Sequence, residues 1–392
     1  MTHHRNVHLT IALVASLVGT APIAAQARDQ ATVARNLVAA GLIKPGDKVL
    51  ISGSVRDAAL MEDIAVETMK AGGQPVITLQ SETLLKRSYT DVPTSYDTLP
   101  PALDIAMINT FDAQISLDVG ETEGLLSSVP VSRREARAKA GEPAREAQFK
   151  KVVRLVNLGN GLYPTATTAT RLGIPQTRLA EVFWRAAAVP AATLRARADG
   201  LRRVMAAGKS ITVTHPNGTN LTFAADYGRA IISDGALTPE KLQQGSAAAL
   251  TWLPAGELVL PAMPGTASGT LVIDRELSDG KLVEGLTLRF ANGKLTSMTA
   301  KSNLEAIKAF YDAASGAKDE FGFIDIGVNP ETTVPVGTGR TVWGAPGSIV
   351  FGIGDNRIFG GTNASSFSLS PQLGGATVTV DGKPVIVNGT IR

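Results

Sequence analysis

Near residue 207 the sequence changes texture, and that change separates two kinds of fold. Before it, short apolar runs alternate with segments of helical spacing. Ala31 to Leu42 carries apolar residues at helical intervals, Lys44-Pro45-Gly46-Asp47 reads as a turn, and Lys48 to Ser52 reads as a buried strand. Asp57 to Ala71 reads as a helix stopped by Gly72-Gly73, followed by a strand over Pro75 to Leu79. Leu103 to Ile108 and Val152 to Asn157 are expected to be further strands. Val131 to Ala140 is expected to be a charged, exposed helix, and Arg178 to Ala188 and Ala191 to Ala207 two more helices. This alternation predicts an α/β domain with a parallel sheet covered on both faces. No G-x-G-x-x-G follows a strand, so dinucleotide binding is not indicated.

Beyond Gly208 the pattern is one of short strands and glycine-rich turns. Ser210 to Thr214 and Asn220 to Ala224 flank a His-Pro-Asn-Gly turn. Asn292-Gly293 and Asp381-Gly382 are two-residue hairpin signals, because both positions of such a turn need positive φ. One helix is expected over Asn303 to Ser315. The division is therefore a leader over residues 1–27, an α/β domain over 28–207 and a mainly β domain over 208–392.

The leader has the order of a secretory signal peptide: Arg5, an apolar run from Leu9 to Thr20, and Ala25-Gln26-Ala27 as an A-x-A cleavage site. The expected compartment is periplasmic or extracellular, with no membrane association after cleavage. Cleavage removes His3, His4 and His8 and leaves His215 as the one histidine of a chain that has four. A mechanism that needs two histidines is thereby excluded. The absence of cysteine excludes disulfides, thiolate metal sites and cysteine nucleophiles. The net charge of +3, without a basic run and with 5% aromatic residues, gives no nucleic-acid footprint.

Three segments of the second half stand out: Trp252-Leu253-Pro254-Ala255-Gly256-Glu257, Ile326-Gly327-Val328-Asn329-Pro330, and Gly347 to Arg357 with the downstream Ser368-Leu369-Ser370. With Ile43-Lys44-Pro45-Gly46, Tyr163-Pro164-Thr165 and Asn217-Gly218-Thr219-Asn220-Leu221, they make the chain similar to the thermophilic metalloaminopeptidases of the aminopeptidase T and aminopeptidase S type. The resemblance covers nearly the whole mature chain. It implies an α/β domain plus a mainly β domain, a homodimer, and two divalent metals held by two glutamates, two histidines, a tyrosine and an aspartate.

At those positions this chain departs from the pattern. Glu257 stands where the resemblance puts the first metal glutamate and is at most the one metal ligand kept. Phe323 stands for the second glutamate, Val350 for a histidine, Arg357 for the tyrosine, and Ser368 and Ser370 for a His-x-Asp pair. No tightly bound cofactor is expected; a divalent metal is implied by the resemblance alone. Asp325 and Asp355 are additional carboxylates that, with Glu257, form a candidate all-oxygen site for a hard cation such as Mg²⁺. Glu257 and Arg357 are the expected catalytic pair, close together and lining a pocket between the two domains, with Asp355, Ser368 and Ser370 as binding residues. Three readings follow: a secreted leucyl-aminopeptidase-like protein acting on or binding small peptides, a non-catalytic binder of a small ligand, and a relative of the dihydroxypyridine ring-cleaving dioxygenases.

Overall fold

The structure is a computed structural model that describes residues 23–119, 122–333 and 342–392, with side chains from residue 30 onward. Most of the expected leader lies outside the described residues.

Five strands form a parallel sheet in the order Gln74–Gln80, Lys48–Ser54, Ala113–Leu117, Arg154–Leu158, Leu250–Leu253. Helices pack on it and bury Leu37, Met61, Ile64, Leu179 and Phe183 against Val49, Ile51, Ile115 and Val156. The fifth strand comes from beyond residue 208. The sequence boundary at 207 thus marks a change of texture, not the edge of a sheet.

One expected strand is a helix. Leu103 to Ile108 lies inside the helix Ala102–Thr110, and the place beside Lys48–Ser54 is taken by Ala113–Leu117. Pro101 sits before that helix and Asp104 in its first turn, where the helix dipole favours an acid, so local start signals outweighed the apolar run.

The second half forms two antiparallel sheets around one core. The larger runs Lys294–Thr299, Lys281–Ala291, Ser268–Ser278, Asn220–Phe223, Ile211–Thr214, Thr377–Val380, Lys383–Val387, Thr390–Ile391. The smaller runs Ser368–Leu369, Ile349–Gly354, Phe321–Gly327, Glu257–Pro261, Ile231–Ser233, with Gln372–Leu373 also paired to Ile349–Gly354. The expected hairpin turns are present: Asn292-Gly293 and Asp381-Gly382 have φ of 51°, 80°, 47° and 78°, the positive values a type I′ turn requires. The expected helix over Asn303 to Ser315 is observed as Glu305–Ala313.

Two central strands of the smaller sheet, Glu257–Pro261 and Phe321–Gly327, are buried along their whole length. Strand alternation gives them two faces. Leu258, Leu260, Ile324 and Ile326 point into the core shared with the larger sheet. The opposite face carries the candidate site.

A buried acid pair facing an aromatic cleft

Antiparallel partners share a face, so the register decides which side chains meet. Glu257 pairs with Gly327 on one side and Ser233 on the other; Asp325 pairs with Val259 and Val350; Phe323 pairs with Pro261 and Gly352. Glu257, Asp325, Phe323 and Val350 therefore stand on one face. Three of the positions that the resemblance assigned to metal ligands lie there, and so does Asp325.

Glu257 is 1% exposed. Asn160 Nδ2 donates to its Oε1 at 2.8 Å and to the Pro254 carbonyl at 2.9 Å. The Ser233 hydroxyl adds a looser contact that falls short of a full hydrogen bond. Asp325 is 2% exposed, and neither of its carboxylate oxygens has a hydrogen-bond partner. Among the described residues no Lys, Arg or His forms an ion pair with either acid. Burial, partly offset by the Asn160 amide, pushes Glu257 up to about 7. Burial and the neighbouring Glu257 charge push Asp325 well above the usual carboxylate range.

The remainder of the face is aromatic. Phe359 is the hub, with its ring centre 4.1 Å from Phe323, 6.0 Å from Trp252 and 6.0 Å from Trp343, the last two stacked. A Cβ placed on Gly352 would lie 1.9 Å from the Phe323 ring, so that ring lies directly against the neighbouring strand.

Glu257 lines a cavity of about 250 Å³ with Asp118, Asn160, Trp252, Trp343 and Phe359. Its polar wall comes from the carboxyl ends of the parallel strands, where α/β sheets place their ligands. Asn157 Nδ2 donates to Asp118 Oδ1 at 2.9 Å, the Asn160 amide to Asn157 Oδ1 at 3.1 Å, and the Gly161 amide to Asp118 Oδ2 at 3.2 Å. The line Asp118–Asn157–Asn160–Glu257 joins the two halves of the molecule. A second cavity of about 410 Å³ shares Asp118, Asn157 and Gly161 and extends to Gln80, Thr168 and Arg171.

Arg357 does not meet Glu257. Its guanidinium pairs with Asp355 and, at 2.5 Å, with Glu142, and it lies 5.1 Å from the Phe149 ring centre. The expected Glu257–Arg357 pair is thus corrected: an acid two residues away and one on the helix Glu142–Lys150 claim the arginine first. Asp355 is taken up in the same cluster and also accepts from the Ser365 amide. This removes it from the all-oxygen set with Glu257 and Asp325, and among the described residues no group of three or more His, Cys, Asp or Glu is placed to hold a metal. Ser368 is exposed on an edge strand, and Ser370 lines a third cavity of about 160 Å³ beside Arg171, Glu276 and Trp343, which adjoins the other two at Gly161. His215 lies in its hairpin turn, where the Asn217 amide donates to Nδ1 at 3.2 Å.

The sequence reading missed Asp118, Asn157 and Asn160. Their signal was Asn157-Leu158-Gly159-Asn160-Gly161, where a strand ends in three consecutive residues of positive φ, at 154°, 47° and 69°.

Comparisons with known proteins bear on the fold and the family. The chain is similar in structure to wild-type AmpT from Thermus thermophilus, with a TM-score of 0.69 at 19% identity, covering 93% of this chain and 99% of that one. It is also similar to 2,5-dihydroxypyridine dioxygenase from Pseudomonas putida KT2440, with a TM-score of 0.53 at 12% identity, covering 93% and 97%. Both likenesses speak to the fold. A search of the curated proteins finds no match. The family model described as thermophilic metalloprotease (M29) matches residues 27–326, most of the chain, and the protein belongs to that family.

Proposed function

We propose that this member of the aminopeptidase-type M29 family binds small peptides by their amino terminus at a degenerate two-metal site. One observation carries the reading: two buried acids without a cation stand on the face where the family resemblance places the metals. The donor set there does not fit a metal pair. Glu257 and Asp325 supply carboxylates, but Phe323 and Val350 supply only carbon, and the Phe323 ring lies against the strand that carries Val350. A ligand ammonium provides the missing positive charge. Glu257 accepts its hydrogen bonds, and Trp252 and Phe359 offer π faces to a cation.

The test is calorimetric titration of the mature protein with L-alanyl-L-alanine and its N-acetyl derivative, beside aminoacyl chromogenic substrates with and without Co²⁺, Zn²⁺ or Mg²⁺. Binding of the free dipeptide alone, without metal-stimulated turnover, is the expected result. Two equivalents of metal retained after dialysis, with turnover, would overturn it.

The reading includes export, supported by the order of residues 1–27, with the mature chain starting at Arg28. The helix Ile23–Ala40 has its core residues at Ala34, Leu37, Val38 and Ala40, all downstream of the cleavage point. N-terminal sequencing of a periplasmic extract checks this; an intact Met1 in the cytoplasm refutes it. The reading also includes a homodimer. The sheet-edge strand Gln74–Gln80 exposes Val76, Ile77 and Leu79 next to the exposed Leu84 and Leu85, an edge suited to a second copy about a two-fold axis. Light scattering giving one chain's mass would remove it.

A further inference from the structure

The cavity holding Glu257 and the larger one beside it meet at Gly161, and the residues at that junction differ in charge from one end to the other. On one side Asn160 donates to Glu257. On the other, the Arg171 guanidinium donates to the Gly161 carbonyl at 2.6 Å. A Cβ on Gly161 would lie 3.7 Å from the Trp343 ring and 4.0 Å from Arg171, so ring and guanidinium approach each other over this residue. A Cβ would make only ordinary contact with either, so the glycine is explained by its φ of 69°.

Arg171 is held in place but not saturated. It lies in the last turn of the helix Ala166–Leu172, whose start is set by the Thr165 hydroxyl accepting from the Thr168 amide. Its nearest carboxylate, Glu123, is 3.8 Å away, beyond a direct hydrogen bond. The single bond to Gly161 uses one of five N–H donors, and the side chain is 35% exposed and lines both the larger cavity and the one that holds Glu123 and Glu276.

Resting on the peptide-binding reading above, the geometry points to Arg171 as the anchor for the free carboxylate of a short zwitterionic peptide whose ammonium lies at Glu257. The guanidinium fork matches a carboxylate bidentately, which makes this end selective for a terminal acid over an amide. Asn160 and Gly161 are consecutive residues. The two anchors therefore lie within a few extended residues of each other, at roughly 3.3–3.6 Å per residue. The cleft takes short peptides with both termini free and rejects longer chains with an internal bond at the same place.

The experiment compares L-alanyl-L-alanine, its C-terminal amide and its N-acetyl derivative on wild type and on Arg171→Met, with Arg171→Lys as a charge-retaining variant. Wild type is expected to bind the dipeptide about tenfold or more tightly than the amide. Arg171→Met is expected to bind acid and amide alike while still rejecting the N-acetyl form, and Arg171→Lys to fall between. Equal binding of acid and amide by wild type overturns the anchor and leaves the amine-binding reading standing. No binding of any free dipeptide by wild type overturns both. The acid-against-amide ratio on wild type decides the question even where a variant folds poorly.

Discussion

Two groups of charged side chains belong to the same small sheet and its following turn, and they are opposites. Around Arg357 every charge is answered: Asp355 and Glu142 flank the guanidinium, Phe149 covers it, and Arg145 holds Glu142 in turn. On the inner face Glu257 and Asp325 are more deeply buried, and no cation answers them. A saturated cluster is accounted for by the stability of the fold. Two buried acids without a cation cost stability, and such a cost persists where a site is kept for a ligand. The contrast sets the arginine of the saturated cluster apart from the glutamate proposed to bind a ligand.

The largest change comes from removing what fills the inner face. Phe323 is fully buried against Phe359 and the strand carrying Gly352. Phe323→Ala should destabilise by about 3–5 kcal/mol in denaturant unfolding. A cost below about 1 kcal/mol would mean that the ring does not fill this face.

Next is the charge itself. Glu257 has its folded value raised from 4.5 to about 7. The folded state then holds the proton more tightly, so this contribution to stability is fully present below pH 4.5 and is lost as pH rises through 7. Glu257→Gln imitates the neutral acid and keeps an acceptor for Asn160. It should stabilise the protein at pH 8, where it also relieves Asp325 of the neighbouring charge, and do little at pH 4. Thermal melts across that range measure it. Glu276, half-buried and pushed up to about 7 by burial and by Glu123, keeps its own share of the slope in both proteins. Parallel pH curves for variant and wild type would show that Glu257 is ionised at little cost.

Smallest is Arg357→Ala. Asp355 retains the Ser365 amide and Glu142 retains Arg145, and the cluster is partly exposed, so the cost should be about 1–2 kcal/mol and should shrink in salt. Dipeptide affinity should be unchanged, since Arg357 is not on the wall of either cavity along the Glu257–Arg171 cleft. A loss of affinity would merge the two groups into one site.

Local physics made much of this molecule legible in one dimension. The alternation before residue 207 and the Asn-Gly and Asp-Gly turns depend on neighbours in the chain, and they indicated the fold class, while Glu257 was singled out by the resemblance of the segment Trp252 to Glu257. The loss of the metal-ligand pattern is likewise a matter of residue types, because phenylalanine and valine have no donor wherever they are placed. Pairings across the chain are different. Whether Arg357 answers Glu257 or Glu142 depends on which acid the tertiary fold brings within about 3 Å, and Glu142 lies 215 positions away. The link from Asn160 to Glu257 spans 97 positions and exists only because the parallel sheet ends against the smaller antiparallel one. Strand register, invisible in composition, turned Asp325 toward Glu257 and Ile324 and Ile326 away. An ionised side chain's role is set by what surrounds it, and for these acids that was decided by the packing of the sheets.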